Sequence, residues 1–210
     1  FMNKASRKHL GIGDKKMPSN LKGHDFFDLK EIKYIKEVIS EGLKKEGKWE
    51  GETHLLNIKT KKKIPVQMSA FVIRDYITGK AIGLGNVSKD ITEQKFASQY
   101  ARSLIEASLD PLVTISTAGK ILDVNEASVK VTGVPREKLI GTDFSNYFTL
   151  PEKAQHGYQQ AFKKGFVEDY PLTIKHTSGK LTDVLYNASV YKDERGNVLG
   201  VFAAARDVTE

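Results

Sequence analysis

Five histidines (His9, His24, His54, His156 and His176) and no cysteine set the chemistry open to this chain. Without cysteine there are no disulfides, no thiolate nucleophile and no thiolate metal site, and no two of the histidines stand at metal-ligand spacing. The sequence also lacks a Gly-rich phosphate loop and any paired-carboxylate or Cys/His constellation. Binding and relay are therefore expected, and catalysis is not. Side chains suited to a small-molecule pocket cluster late in the chain as His156, Tyr158, Phe162, Tyr186 and Asn187. Strand alternation over Val184–Val190 puts Tyr186 and Ala188 on one face and Leu185, Asn187 and Ser189 on the other. Alternation does not say which face is covered, and the same residues serve equally well as ordinary packing.

The relay signal is the run Lys89-Asp90-Ile91-Thr92-Glu93, matched at the end of the chain by Arg206-Asp207-Val208-Thr209-Glu210. Asp or Thr before a helix accepts free backbone N–H groups of its first turn, and Glu93 sets a carboxylate at the positive end of the helix dipole. The helix so started is expected over Gln94–Ser108. Ala97, Ala101, Leu104 and Ser108 recur along it at helical spacing, and Tyr100 and Ile105 widen the stripe. A narrow stripe of this kind suits parallel pairing with the same helix of a second chain, so a homodimer is expected.

Those residues sit in a duplicated framework. Asn3-Lys4-Ala5-Ser6 answers Asn125-Glu126-Ala127-Ser128, Gly11 answers Gly133, and Gly23-His24-Asp25-Phe26 answers Gly141-Thr142-Asp143-Phe144. Further along, Gly47 answers Gly165, Arg74-Asp75 answers Lys192-Asp193, and Gly79 and Gly83 answer Gly196 and Gly200. The offset is 122 before Gly23, 118 from Gly23 to Asp75 and 117 afterwards. The length changes thus fall in the Gly11–Gly23 loop and in the turn near Tyr76–Thr78, where they are tolerated. Chance similarity does not hold register this way, so the chain is two copies of one domain.

In the second copy, Pro111–Thr117 and Lys120–Val124 read as short strands around a tight turn. Asn125–Thr132 and Glu137–Ile140 read as short helical segments, and a longer helix runs from Pro151 to about Lys164, with Pro at its start and Gly165 as its stop. Strands follow at Asp169–Thr177, Leu181–Lys192 and Val198–Val208 with hairpin turns between them. The predicted fold is α+β: a five-stranded antiparallel sheet with helices inserted between its second and third strands. Phe1 corresponds to Asp123, so the first copy has no counterpart of strand Pro111–Thr117. Its neighbours are then expected to have unpaired edges, through truncation of a longer parent or because a partner strand fills the gap; truncation is the favoured reading.

This element order resembles the PAS domain, with its Asn-x-Ala helix start, Gly-x-Asp-Phe segment, Gly-x-x-x-Gly lead into the last strand, and closing Asp-Ile-Thr or Asp-Val-Thr. The second copy is similar in particular to sensory-box domains of bacterial and archaeal sensor histidine kinases, through Tyr170-Pro171-Leu172, Tyr186-Asn187-Ala188-Ser189 and the Phe202–Arg206 strand. The resemblance implies two PAS domains, at 1–93 and 109–210, joined by a linker helix at 94–108. It also implies a site for haem, flavin or a metabolite between helices and sheet. A flavin–cysteine adduct is excluded without cysteine. Haem is disfavoured: the long helix of the second copy offers only His156, the matching helix at about Leu29–Leu43 offers none, and both His156 and His176 read as surface residues. The family's closing Asp often pairs with a basic neighbour, for which Lys89 and Arg206 are the candidates. Trp49 resembles the family's common aromatic at the start of the third strand and is expected to pack in the core or an interface.

Charge and hydropathy limit the partners. The net charge of +7 lies wholly in residues 1–93, with 19 Lys/Arg against 12 Asp/Glu, while residues 94–210 hold 14 of each. Most of the excess is dispersed lysine, the densest run being Lys59, Lys61, Lys62 and Lys63 at a turn, and only Arg7 and Arg74 are arginines there. That is a solvated surface rather than a nucleic-acid patch. No apolar run reaches the roughly 18 residues of a membrane span, and cysteine-free composition fits a reducing compartment, so a cytoplasmic segment without membrane contact is expected, from a parent that could itself be anchored. The function expected is sensing by a histidine kinase's input segment, with a small-molecule or partner signal passed to a C-terminal output domain that would follow Glu210. The alternatives are the input of a cyclic-dinucleotide synthase and a ligand-free dimerisation scaffold.

Overall fold

The computed structural model describes residues 1–13 and 21–209, and side chains for these except at positions 29, 30 and 36. Most of the longer Gly11–Gly23 loop, with Lys15 and Lys16, lies outside the described residues, as does Glu210. The chain divides into two units, Phe1–Gln99 and Tyr100–Glu210.

In the first unit, helix α1 (Lys4–Leu10) starts at Asn3, whose side chain accepts the Ser6 N–H, and stops at Gly11 in the left-handed conformation. A 3-10 turn at Gly23–Phe26 buries Phe26. One helical run follows as α2 (Leu29–Tyr34), a π turn at Ile35–Ile39 and α3 (Ser40–Glu46), with Gly47 as its stop. Strands β1 (Lys48–Leu56), β2 (Lys63–Arg74) and β3 (Ala81–Asp90) form an antiparallel sheet in that order. Alternate β2 residues Val66, Met68 and Ala70 bury against Ile39, and Trp49 packs on this cluster edge-to-face with Tyr34. Helix α4 (Thr92–Ala107) follows β3.

The second unit begins within that helix. β4 (Leu112–Ser116) and β5 (Ile121–Val124) pair, α5 (Glu126–Thr132), α6 (Arg136–Leu139) and a 3-10 turn at Phe144–Tyr147 follow, and α7 (Pro151–Lys164) leads to β6 (Phe166–Lys175), β7 (Leu181–Lys192) and β8 (Val198–Asp207). The sheet order is β5-β4-β8-β7-β6. Its inner face buries Ile115, Val184, Tyr186, Val201 and Ala203 against Leu139, Phe144, Ala154 and Tyr158. The predicted five strands and inserted helices are all present. The largest displacement is at β6, which starts at Phe166, three positions earlier than its alternation suggests, while α4 starts at Thr92 rather than Gln94. A bulge between Val167 and Tyr170 interrupts the pairing, and at its centre Asp169 takes a φ of 46°. This breaks the two-residue period on which the sequence boundary rests.

The repeat register is matched element by element. β2 and β7 are both 12 residues and β3 and β8 both 10, each pair at the offset read from the sequence. The described residues of the first unit hold three strands, with no counterpart of β4 or β5 beside β3. The consequence is visible at equivalent positions: Val201 on β8 is fully buried opposite Ile115 of β4, whereas Leu84 on β3 is 69% exposed. Gly200 shows the same. A Cβ there would lie 2.4 Å from the Ile115 carbonyl, so the close β4–β8 approach needs glycine, while at Gly83 the nearest atom is 4.0 Å away.

Candidate functional site

Three places in the structure carry the relevant chemistry: the strand–helix junctions, the end of α4 with the start of α5, and a cavity in the second unit. At the first junction Asp90 Oδ1 accepts the Thr92 N–H at 2.8 Å. Ile91 is buried and its N–H donates to the Pro65 carbonyl at 3.0 Å, so β3 is fixed where it gives way to α4. Burial works against ionisation of Asp90, but the Thr92 hydroxyl and amide, with the charges of His9 and Lys62, outweigh it and hold the carboxyl below its ordinary value. The matching junction has Asp207 Oδ1 accepting the Thr209 N–H at 2.8 Å. There Thr209 Oγ1 in turn accepts from the Asp183 N–H at 3.1 Å, and the Thr209 amide and hydroxyl lower the Asp207 carboxyl.

The basic partners differ from those the family resemblance suggests. Asp90 faces His9 Nδ1 at 3.5 Å, which brings α1 onto the junction, and Lys89 has no ion pair among the described residues. Arg206 reaches Asp169 at 3.6 Å rather than Asp207. The cause is strand alternation: the residue before the Asp points to the opposite face of the sheet. On that outer face Asn187 Oδ1 accepts the Asp169 N–H at 2.8 Å and so satisfies the bulge.

The second place was not singled out from sequence. Asn125, wholly buried, caps α5 by accepting the Ser128 N–H at 3.0 Å and also accepts the Leu112 N–H at 2.9 Å. Its Nδ2 donates to the Asp110 carbonyl at 2.9 Å and reaches the carbonyls of Ile105 and Ser108 at 3.3 and 3.5 Å. The Ile105 carbonyl is in the last turn of α4, and those of Ser108 and Asp110 belong to the segment just after it. Beside it Glu106 accepts from Arg136 Nη2 at 2.6 Å, from Arg102 Nη2 at 2.7 Å and, through its other oxygen, from the Glu126 N–H at 2.9 Å. Arg102 also pairs with Asp123. The end of α4 is thereby clamped to the start of α5. The available signal was the Asn3–Asn125 match: Asn3 makes the same cap to Ser6 but is exposed, so the cap was legible and the clamp was not.

The third place is a cavity of about 40 Å³ between the sheet and helices of the second unit. Of the pocket residues proposed from sequence, only Tyr186 lines it. Tyr158 is buried edge-on to Phe144 at 6.3 Å, and Phe162 stands edge-on to Tyr158. Asn187 is on the outer face at the bulge. His156 is exposed on α7 with Nδ1 3.1 Å from the Tyr170 hydroxyl, so it is not placed to ligate a group in the cavity. The walls come instead from Val113, Ile121, Ser128, Leu139, Phe144 and Ile174, among others. Each remaining histidine has a local neighbour: His54 with Glu31 at 3.1 Å, His24 with Asp25 at 3.5 Å, and His176 with Ser178 at 2.7 Å. Among the described residues no group of three or more His, Asp or Glu is placed to hold a metal ion, and no helix is long and apolar enough to cross a membrane.

Of the dimer stripe, Ala97, Ala101 and Leu104 are exposed on α4, Tyr100 is 58% exposed, and Ile105 is half-buried beside the clamp.

Comparison with known proteins finds PAS domains among the solved structures. A PAS domain from Colwellia psychrerythraea matches 54% of this chain over 98% of its own length at 20% identity and a TM-score of 0.48. The PAS domain of an HTR-like protein from Haloarcula marismortui matches 55% over 95% of its length at 19% identity and a TM-score of 0.46. A PAS domain from a two-component sensor histidine kinase matches 54% over 98% of its length at 17% identity and a TM-score of 0.47. The sequence family described as the PAS domain matches residues 1–93 and again 109–210, nearly the whole chain, and the chain therefore belongs to the PAS domain family.

Proposed function

We propose that this chain is the sensory relay segment of a sensor histidine kinase, taking up a small ligand or partner signal and passing it along α4 to an output domain. The observation that carries this reading is the fixing of α4 at both ends by side chains that belong to the PAS cores. At its start the Asp90–Thr92 contact ties the first turn to the end of a sheet strand. At its finish Asn125 and Glu106 tie the last carbonyls and carboxylate to α5. Ser128 belongs both to the cavity wall and to the Asn125 hydrogen bonds, so a change in the cavity bears directly on the clamp. A helix held by polar contacts at its ends rather than buried along its length is a two-state element that either core can bias. Parallel pairing of the exposed stripe Ala97, Ala101 and Leu104 with a second copy would give the kinase its dimer axis.

The test is a fusion of this chain, with helical register kept, to the catalytic core of a PAS-regulated histidine kinase. Asn125→Asp and Asp90→Asn are expected to change autophosphorylation by several-fold while circular dichroism stays native. Autophosphorylation unmoved by either substitution would reject relay and leave the interaction-scaffold reading.

A further inference from the structure

A second recess in the second unit lies outside the core cavity, with which it shares only Pro111 and Val131. It is an open groove of about 320 Å³, within the roughly 300–1,000 Å³ usual for small-molecule sites. One flank is α5, through Lys130 and Val131, and the other is the β6–β7 hairpin and the start of β7, through Lys180, Thr182 and Val184. Asp207, at the end of β8, also lines it.

Four ionisable side chains line the groove: Lys130, Lys180, His176 and Asp207. Neither lysine ammonium has a salt bridge or hydrogen bond among the described residues. His176 is turned to its own hairpin, where Nδ1 accepts the Ser178 N–H at 2.9 Å. Asp207 accepts the Thr209 N–H, and Lys180 acts on it through space without forming a salt bridge. Two ammonium groups against one carboxylate leave one positive charge uncompensated. Thr182 is an independent sign of an occupant. It is 5% exposed, it lines the groove, and its hydroxyl has no hydrogen-bond partner among the described residues. A hydroxyl so sheltered is unfavourable until something bonds it.

The duplicated framework shows that the fold does not demand this space. At the offsets of the repeat, Asp207, Lys180 and Val131 answer Asp90, Lys62 and His9. In the first copy His9 reaches the Asp90 carboxylate at 3.5 Å, with the charge of Lys62 beside it, so that copy supplies the partner from within. In the second, valine stands in the histidine's place and leaves the groove open. The positive surplus opposes a metal cation. Phosphate carries nearly two charges and has nothing to set against the apolar wall of Pro111, Val131 and Val184.

We propose that this groove binds a small monocarboxylate with an apolar body, its carboxylate held by Lys130, Lys180 and the Thr182 hydroxyl and its body lying on Pro111, Val131 and Val184. Binding is independent of the relay reading. Where relay operates, the ligand sits beside the Asp207–Thr209 contact, at the end of the last strand.

The experiment is a two-dimensional NMR titration of the full chain with phenylacetate, its neutral isostere phenylacetamide, and inorganic phosphate. Wild type is expected to show saturable shifts from phenylacetate at Val131, Ser178, Thr182 and Val184, with phenylacetamide weaker by roughly tenfold. Lys130→Met and Lys180→Met, both at exposed positions, should each weaken phenylacetate by about two- to fivefold and leave phenylacetamide unchanged. Thr182→Val, which keeps the shape and removes the hydroxyl, should weaken phenylacetate by about fivefold. Absence of saturable shifts at the groove, equal affinity for phenylacetate and phenylacetamide, or wild-type affinity in the Lys130→Met/Lys180→Met double variant would each overturn the proposal. Phosphate binding at the same residues as tightly as phenylacetate would overturn it too, since it would show a general anion patch. The lysine variants keep the test decisive should Thr182→Val not fold. None of these outcomes bears on the relay reading, which the kinase fusion tests without ligand.

Discussion

Asn125 donates from its side-chain amide to the Asp110 carbonyl at 2.9 Å while its side-chain oxygen accepts the Ser128 N–H at 3.0 Å. One buried residue therefore faces the end of α4 with its donor and the start of α5 with its acceptor. The contacts that Glu106 makes beside it, to Arg136 and to the Glu126 N–H, are charged and partly exposed, whereas Asn125 is wholly buried.

That asymmetry makes Asn125→Asp selective. The substituted carboxylate still accepts from Leu112 and Ser128, but it cannot donate, and it sets a negative charge against three carbonyl oxygens. The cap of α5 survives and the hold on α4 is lost. A loss of about 2–3 kcal/mol in the second unit is expected, the range for leaving buried acceptors unpaired. Hydrogen exchange resolved by residue should show faster exchange at positions 101–108 while β7 and β8 change only through the global loss. Uniform acceleration across the sheet, with no excess at the helix end, would refute the clamp.

Glu106 acts on the same junction by charge. It contacts both Arg102 and Arg136, yet its side chain is 30% exposed and Arg102 39%, and half-solvated pairs are worth little each. A double-mutant cycle between Glu106→Gln and Arg136→Met should give a coupling below about 1 kcal/mol, falling further at 1 M salt where the screening length is about 3 Å. Coupling that is large and indifferent to salt would mean that the pair is desolvated.

The duplicated strands were legible because the repeat supplies two independent readings of each element, and sheet register follows from alternation. β6 was misplaced at its start because the bulge at Asp169 breaks that alternation, and nothing in the local sequence marks the positive φ. The Asp90 cap at the start of α4 was legible and its basic partner was not. His9 is 81 positions away from Asp90, and no local pattern encodes a contact of such separation. Tyr186 was recovered for the cavity and Asn187 was not, because alternation divides the two residues between faces without saying which face the helices cover. The walls Val113, Ile121, Leu139 and Phe144 carry no local sequence mark that separates a cavity wall from ordinary core. They are core, with a space between them that only the packed structure reveals.

The Asp90 cap predicts a pH dependence with a definite sign. Its folded carboxyl lies below the ordinary value of 3.8, so the folded form binds the proton less readily than the unfolded chain. The stabilisation is then present above that ordinary value and is lost as pH falls through the lowered one. Thermal melts of the first unit should fall from about pH 4 downward, with exchange at Thr92–Lys95 rising first. Asp90→Asn keeps an acceptor for the Thr92 N–H but cannot titrate. It should flatten this acid limb, so equal acid limbs in wild type and Asp90→Asn would show that Asp90 does not set it.

Dimerisation through α4 is the remaining consequence. Ala97, Ala101 and Leu104 share one exposed side of the helix, while Arg102 and Glu106, on nearly the opposite side, are taken up by the clamp. The same helix thus has a held side and an available apolar side, and parallel association of two copies would cover the latter without disturbing Asn125. Small residues with a single leucine give a short seam, so the expected dimer is weak, with a dissociation constant of roughly 1–100 μM, or about −8 to −5.5 kcal/mol. Sedimentation velocity over a hundredfold concentration range should show a monomer–dimer shift. Leu104→Glu should abolish it, since like charges would meet across the seam, and should leave the melting temperature of the second unit unchanged because Leu104 is exposed. A monomer at every concentration, or a dimer that tolerates Leu104→Glu, would remove α4 as the proposed dimer axis.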